Sequence, residues 1–517
     1  MPRYAAIDIG SNSIRLLAAE IEPGGTMRIL ESERTVTRLG ENVFRAGFIS
    51  AEAMDSVSEV LARMVAAYRR HDVTAARLVA TAAVRDAGNS AEFIERCSEI
   101  AGQPVEIISG QEEARLIHLG VESRWPHPQE RLLIVDIGGG SAEFIEAQRG
   151  NLVQAFSRPL GAVRLHSTFL RDADPPSVPA LRRLNEFIDE KLAVPLRRIT
   201  HGGFARAIGT SASASAIVCA VNRIPRTRRD EADRRRATLS EIRRLCRELA
   251  GKSLEQRRKV TGIGPRRAEI IVPGAAVLVR TLEAFDVPAF YYCAAGVREG
   301  IVKDLADRGA GRERSRLDRE DRSLVEQFAR RFGVDLGHAR KVAQFSRDLF
   351  HALETLHKLP PEFGRLLETA AYLRDVGHAI SDTAHHKHSQ YIVANADLAS
   401  FTDLERLMVA MLCRYHRKSM PAQRHGDFQA LPPLEKNAVA MLAPILRIAD
   451  ALDRSRDQRI RGIECTMRNG AVHLALHADR DASLEIWAVE RAAGAFHQIF
   501  NRTLTVAAAA APSDNRK

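Results

Sequence analysis

Two stretches decide the fold: Tyr4-Ala5-Ala6-Ile7-Asp8-Ile9-Gly10-Ser11-Asn12-Ser13 and, 128 residues on, Leu132-Leu133-Ile134-Val135-Asp136-Ile137-Gly138-Gly139-Gly140-Ser141. Each is an apolar run, then Asp-Ile-Gly, then a small or polar tract ending in Ser. A second apolar stretch follows each, Ile14 to Ile21 and Ala142 to Ala147. The runs are too short for helices and carry β-branched residues, so each copy predicts a strand, a tight turn and a strand. Glycine in the turn permits positive φ and close backbone approach to a ligand. Successive N–H groups there form an anion-binding nest, and the Ser and Asn side chains add donors. Asp8 and Asp136, at the strand ends, suit a metal ion that accompanies phosphate. One glycine turn is weak support; the same order twice predicts two phosphate hairpins.

Around the two hairpins, strand-like and helix-like segments alternate. Ser50 to Arg70 has helical spacing after an N-cap Ser, and Arg77 to Thr81 reads as a strand. Ala91 to Ala101 reads as helix, Val105 to Ile108 as strand and Gln111 to Val121 as helix again. Such alternation implies α/β domains. The repeated hairpins resemble the actin, sugar-kinase and Hsp70 superfamily, whose two ribonuclease H-like domains face each other across a ligand cleft. The expected class is α/β: two actin-like domains (1–127 and 128–305), an all-helical HD-like domain (316–457) and a small α/β C-terminal unit (458–508).

Fold alone does not choose among kinase, ATPase and phosphatase. The run Ile107-Ile108-Ser109-Gly110-Gln111-Glu112-Glu113-Ala114-Arg115 ends a strand and starts a helix carrying adjacent carboxylates. Neighbours on a helix point about 100° apart, so only one of Glu112 and Glu113 can face the cleft squarely. A carboxylate there could deprotonate a water for attack on phosphorus; out of context, the pair reads as acids complementing a helix N-terminus. Context comes from Thr81-Ala82-Ala83-Val84-Arg85-Asp86-Ala87, the Ile108 to Leu116 run, Asp136 to Glu143 and Ile270-Ile271-Val272-Pro273-Gly274-Ala275. Together they resemble the exopolyphosphatase/guanosine pentaphosphate phosphatase (Ppx/GppA) family, from Tyr4 to about Asp304 and more weakly beyond.

The resemblance implies a Mg²⁺-dependent hydrolase, with Mn²⁺ as the alternative ion. It releases terminal phosphate from inorganic polyphosphate; guanosine pentaphosphate is the other family substrate. It places the general base on Glu113, the phosphate-gripping arginine on Arg85 and metal-associated carboxylates on Asp136 and Glu143, with Asp8 grouped beside them by its hairpin position. Ser11, Asn12, Ser13, Arg15, Gly138, Gly139, Gly140 and Ser141 fall to phosphate binding, with Gly209, Thr210 and Ser211 of a third loop. That loop departs from the family's Gly-Thr-Ser-Gly-Thr: it reads Ile208-Gly209-Thr210-Ser211-Ala212-Ser213. Ala212 cannot take positive φ cheaply, which predicts a tighter loop and weakens the case for guanosine nucleotides. A kinase using ATP and a non-catalytic regulator binding guanosine tetraphosphate are the competing functions for this cleft.

The chain has 517 residues, enough for three or four domains at ~150 residues each. Lys plus Arg number 76 against 65 Asp plus Glu, a net +11, which favours an anionic partner. Arg223 to Arg258 holds 13 Lys or Arg and 6 Asp or Glu, hence +7 of that total. Ser240 to Gly251 is helical in pattern, whereas Arg226 to Arg236 is less regular and is expected to be a mobile loop gathering polyanion; Arg266-Arg267 is a second candidate. Aromatics at 5% argue against a base-stacking platform and so against nucleic acid. No apolar run reaches the ~18 residues of a membrane span, and a strand at Tyr4 leaves no room for a signal peptide. Six scattered cysteines without a C-x-x-C pair fit a reducing cytoplasm.

Glu299 to Asp321, charged and containing Gly309 and Gly311, reads as the linker. Beyond it helical patterns run to about Asp457, and nine of 17 histidines fall between His338 and His425. The order His338, Arg374-Asp375, His388, His416, Asp450 resembles HD phosphohydrolases, in which a His-Asp pair anchors metal. Arg374 stands at the histidine's position and would repel a cation, so a scaffold without a working centre is expected, bordering a substrate channel and supporting a homodimer. Arg459 to Val506 reads as strands of a small α/β unit, and Ala507 to Lys517 as a frayed tail.

Overall fold

A computed structural model describes residues 1–22, 25–199, 202–307, 315–317, 319–396, 398, 401–422, 425–468 and 470–509. The chain divides into two compact units, Met1–Asp307 and Arg308–Lys517.

The first unit contains two sheets of matching topology. Strands β1 (Arg3–Ile9), β2 (Ser13–Ile21), β3 (Met27–Val36), β4 (Ala75–Ala80) and β5 (Val105–Ile107) lie in the order β3-β2-β1-β4-β5. In the second sheet, β6 (Arg131–Ile137), β7 (Ala142–Gln148), β8 (Asn151–Arg158), β9 (Arg206–Thr210), β10 (Arg236–Thr238) and β11 (Ala289–Tyr292) lie in the order β10-β11-β9-β6-β7-β8. Three antiparallel strands followed by two parallel ones thus occur twice, with β10 added as an antiparallel edge. The central strands are buried on both faces, hence their unbroken apolar runs. These are two actin-like domains.

The helix Gly110–Arg124 joins the two halves. Leu116 enters the apolar cluster of the first sheet, while Ala114, Ile117 and Val121 pack under the second. The helix Val297–Asp307 returns to the first sheet through Ile301, Val302 and Leu305. A buried ion network ties these helices to β4. Arg115 donates to Glu112 at 2.8 Å and to Asp304 at 2.8 Å, and Arg77 donates to Glu112 at 2.9 Å. Two helix boundaries match their sequence signals: Ser50 Oγ accepts from Ala53 N–H, and Ser109 Oγ from Glu112 N–H.

Several local expectations change. Helix runs to Asp307, so the first residues of the expected linker are helical; Gly309 and Gly311 lie outside the described residues. Arg226 to Arg236 is ordered rather than a mobile loop, with a short 3₁₀ turn at Arg226–Ala232 held in part by Arg229, whose Nε donates to Ser215 Oγ at 2.8 Å. In the second unit, helices from Arg319 to Ala451 precede β12 (Ile460–Arg468), β13 (Ala471–Ala478), a helix Ser483–Phe500 and β14 (Leu504–Ala508). The inner faces of these last elements join the helices' own core, through Leu474, Leu476, Val489 and Phe496. The helix Ser483–Phe500 interrupts what reads as strand, and β14 continues to Ala508, past the expected start of the tail; 510–517 lie outside the described residues. Among the described residues no helix is long and apolar enough to cross a membrane.

Removing one member of a buried ion network strands its partners' charge. Asp304→Ala should therefore lower unfolding stability by about 3–5 kcal/mol, read as an earlier urea midpoint for the first unit.

Candidate active site

The two hairpin turns close identically. Gly10 N–H donates to Ser13 carbonyl at 3.2 Å and Gly138 N–H to Ser141 carbonyl at 3.0 Å. The turns also touch. A Cβ at Gly139 would stand 3.0 Å from Ser11 Cβ, and one at Gly140 2.7 Å from Ser11 Oγ and 2.6 Å from Phe44, so only glycine allows this approach. From behind, Ala162 and Val163 N–H groups donate to the carbonyls of Gly138 and Gly139 at 3.0 and 2.9 Å. The N–H groups of Gly139 and Gly140 meet no acceptor among the described residues, leaving them free for an anion. A cleft of about 360 Å³ opens where the turns meet.

Its floor is acidic. Glu113 lines the cleft, while Glu112, one residue earlier and fully buried, is turned into the Arg77–Arg115 network; the helix phase has separated the pair. Burial pushes Glu113 up to about 7, against the pull of Arg85 and with further repulsion from Asp8 and Asp136. Asp8 and Asp136 are also raised by burial, although the Thr210 hydroxyl donates to Asp136 Oδ2. Glu143 sits opposite Asp136 in the β6–β7 ladder. It faces inward, raised well above the ordinary range by burial, Glu113 and Asp136. Ser157 donates to its Oε1 at 2.8 Å, and its Oε2 is buried without a partner.

Four clustered carboxylates, two of which (Glu113 and Glu143) carry a buried oxygen without a hydrogen-bond partner, form an unfavourable anionic site on their own, and a hard divalent cation is the group that would satisfy it. Among the described residues, no three of these carboxylates bring oxygens within 4.8 Å of one another. An ion held there would take part of its coordination from water.

The wall is cationic. Arg15 and Arg34 stand directly opposite in the β2–β3 ladder, both turned to Ser13 Oγ at 3.4 Å. Like charges so placed destabilise a sheet. Burial and the neighbouring Arg15 depress Arg34 to about 9, and Arg267 is depressed to about 9 by burial, Arg15 and Arg229. Arg229 and Arg267 likewise donate to serine hydroxyls, those of Ser215 at 2.8 Å and Ser213 at 3.3 Å, so these hydrogen bonds leave the positive charge of the wall unneutralised. Such a cluster is built for a polyanion.

Of the residues expected from sequence, Glu113, Asp8, Asp136, Ser11, Asn12, Ser13, Arg15, Gly138, Gly139, Gly140, Ser141, Ser211 and Arg267 line this cleft. Glu143 lies beneath it. Arg85 stands behind Glu113, with Nη1 3.7 Å from Glu113 Oε2 and donating to Ile108 carbonyl at 2.6 Å. Thr210 is fully buried, with its hydroxyl on Asp136. Gly209 does not reach the cleft: it lies within β9, where a Cβ would meet Phe290 at 2.7 Å. The third loop is not tightened by Ala212, which is helical. The positive φ (73°) falls on Ser211, whose Oγ donates to Ile137 carbonyl at 3.0 Å. Arg34 and Arg298 also line the cleft but were not anticipated; Arg229, which lines it too, falls in the Arg226 to Arg236 stretch expected to gather polyanion. Only strand register reveals the first, because Ser32-Glu33-Arg34 alone reads as a solvated strand.

The model of the Ppx/GppA phosphatase family matches residues 17–309, and that of Ppx/GppA phosphatase domain III matches 321–487. A Ppx/GppA family member from Aquifex aeolicus is 26% identical at a TM-score of 0.52, covering 60% of this chain and 99% of its own. An exopolyphosphatase from Cytophaga hutchinsonii is 26% identical at a TM-score of 0.55, covering 59% of this chain and 98% of its own.

The raised carboxylates make stability depend on pH. With Glu113 at about 7 in the fold and near 4.5 unfolded, its contribution favours the fold below about 4.5 and is lost as pH rises through 7. Chelator-treated protein should lose about 1–3 kcal/mol between pH 5 and 8 from this group. Glu113→Gln should flatten the fall, and Mg²⁺ should stabilise more at pH 8 than at pH 5, both read by thermal melts.

Proposed function

Because the chain belongs to the Ppx/GppA phosphatase family, we propose that it is an exopolyphosphatase, releasing terminal phosphate from inorganic polyphosphate. The observation that favours a long linear polyanion is the continuation of the basic surface. The cleft shares Asn12, Arg34, Ala212, Arg229 and Arg267 with a second cavity of about 560 Å³, which runs on past Arg226 and Arg266. Successive phosphates of one chain could be neutralised along this path. For guanosine pentaphosphate, the cleft offers a single aromatic lining residue among those described, Tyr292, which is only 4% exposed and so presents little face for stacking a base.

In this reading the free N–H groups of Gly139 and Gly140, with Asn12, Ser13 and Ser141, hold the terminal phosphoryl at the meeting of the turns. Glu113, in its ionised form, takes a proton from a water as that water's oxygen attacks phosphorus. The anhydride bond to the next phosphate breaks in line, leaving orthophosphate and a chain shorter by one. Arg85 keeps Glu113 oriented and its charge within reach of the phosphoryl oxygens. Asp8, Asp136 and Glu143 would hold Mg²⁺, which when bound neutralises charge on the substrate oxygens.

Phosphate release from long polyphosphate and from guanosine pentaphosphate, compared in one Mg²⁺ buffer, tests the assignment; faster release from the nucleotide would reverse the substrate order. Glu113→Gln should lower kcat by about 10²–10⁴, and unaltered release would remove the residue from the chemistry. The wild-type rate should rise with pH up to about 7, where Glu113 ionises. Arg34→Ala should instead raise KM and reduce the salt dependence of binding by about one charge.

A further inference from the structure

The turn Gly138-Gly139-Gly140-Ser141 lines the cleft on one side and is held from the other by residues 161–164. Three successive carbonyls are engaged from behind. Ala162 N–H donates to that of Gly138 at 3.0 Å, Val163 and Arg164 N–H to that of Gly139 at 2.9 and 3.1 Å, and Arg164 Nε to that of Gly140 at 2.7 Å. A trans peptide sets its C=O and N–H on opposite sides. Carbonyls drawn backward therefore turn the N–H groups of Gly139, Gly140 and Ser141 forward, to the face on which the cleft opens. Backbone supplies the first two restraints; the third, on the peptide between Gly140 and Ser141, comes from a side chain. A Cβ at Gly161 would lie 2.3 Å from the carbonyl carbon and oxygen of Gly139, so this support reaches the turn only through glycine.

Arg164 stands behind the turn rather than among the residues that line the cleft. Its guanidinium serves three neighbours. Nε meets the Gly140 carbonyl, Nη2 donates to Asp86 Oδ2, and Cζ lies 4.0 Å from the centroid of the Phe44 ring. Asp86 and Phe44 both belong to the other half of the first unit. Asp86 ends the short helix Ala82–Asp86, which carries Arg85. Phe44 lies on the helix Leu39–Ala46, whose Gly40 N–H donates to the Ser11 carbonyl at 2.7 Å. One side chain thus joins the second phosphate turn to the helix that supports the first turn and to the helix that carries Arg85. A planar guanidinium can serve a carbonyl on one edge, a carboxylate on another and a ring on its face, whereas an ammonium is a single point. The Arg164 side chain is 21% exposed and that of Asp86 41%, so a small ion can reach the pair from solvent.

We propose that Arg164 is a positioning residue for the reaction: through the Gly140 carbonyl it aims the Ser141 N–H at the phosphoryl group, and Asp86 holds the guanidinium in place from the opposite half. The proposal rests on the reading of this turn as the seat of the terminal phosphoryl. Donors fixed before substrate arrives need no reorganisation as negative charge grows on the phosphoryl oxygens. A peptide free to rotate would have to be turned at that moment, and a misplacement of ~1 Å can cost about 100-fold in rate. The loss falls on kcat rather than on KM, because the hold of a long polyanion on the basic wall is made by Arg15, Arg34, Arg229 and Arg267 without Arg164. Asp86 acts only through Arg164, so its removal matters only while Arg164 is present.

The test compares full-length wild type, Arg164→Ala, Arg164→Lys, Asp86→Ala and the double alanine variant in one Mg²⁺ buffer, with polyphosphate and guanosine pentaphosphate as substrates. Arg164→Ala should lower kcat by about 10–100-fold with KM within about threefold of wild type, the reverse of Arg34→Ala. Asp86→Ala should cost about two- to fivefold, the range of a half-exposed ion pair, and nothing further in the double variant. Arg164→Lys, which keeps the charge, should regain only part of the rate. Guanidinium ion at low concentration should raise kcat of Arg164→Ala and leave wild type unchanged, a response that a merely weakened fold does not give. Orthovanadate, which adopts the five-coordinate shape of the reacting phosphoryl, should bind Arg164→Ala about 10–100-fold more weakly by calorimetry, a readout that needs no turnover. A kcat for Arg164→Ala within about twofold of wild type, full activity in Arg164→Lys, or additive losses in the double variant would each overturn the positioning role. A reversed order of the two substrates would instead displace the polyphosphate reading and leave this one standing, since either presents a terminal phosphoryl to the same turn.

Discussion

Everything in the first unit hangs on the contact between two turns that have almost no side chains. Gly139 and Gly140 rest against Ser11 and Asn12 at distances a Cβ would violate. That contact brings the ends of β1 and β6 together, and with them Asp8 and Asp136. The helix Gly110–Arg124 spans both sheets and delivers Glu113 to the same place. Its neighbour Glu112 anchors the helix through the buried arginine network, so one carboxylate fixes the position from which the next one faces the cleft. Packing and chemistry are divided between adjacent residues by the 100° turn of the helix.

The cleft is poorly solved as a folding problem, and that is its functional content. Four carboxylates are raised by burial, and Arg34 is depressed by burial and by the facing Arg15. Neither set neutralises the other. An acidic floor calls for a cation and a basic wall calls for an anion; an ion-bound phosphate chain supplies both at once. Strain of this kind is retained where a ligand removes it. Ser211, in the left-handed region at the third loop, belongs to the same economy of local cost near a binding site.

Much of this was legible in the sequence because repetition is a strong signal. Two copies of Asp-Ile-Gly with the same flanks specified two hairpins, and the structure adds that their topology repeats through five strands each. Long-range geometry was not legible. Arg34 sits in an ordinary polar strand, and only the pairing of β3 with β2 sets it opposite Arg15. Gly209 looked like part of a phosphate loop, yet its missing side chain makes room for Phe290. In the second unit, three histidines crowd into His385, His386 and His388 at a helix start, and composition cannot say which one the helix turns inward.

The same limit applies to an arginine in a histidine's place. From sequence, Arg374 is a charge that excludes metal from the whole site. In three dimensions a guanidinium occupies one locus, and its hydrogen bonds have direction. Arg374 spends them on Asp450, His338 and the Ala371 carbonyl and pairs with Asp375 at 3.3 Å, so it fills the pocket as an organic cation would. A buried Arg paired on several sides neutralises carboxylates much as a metal does, but it cannot offer an open coordination position.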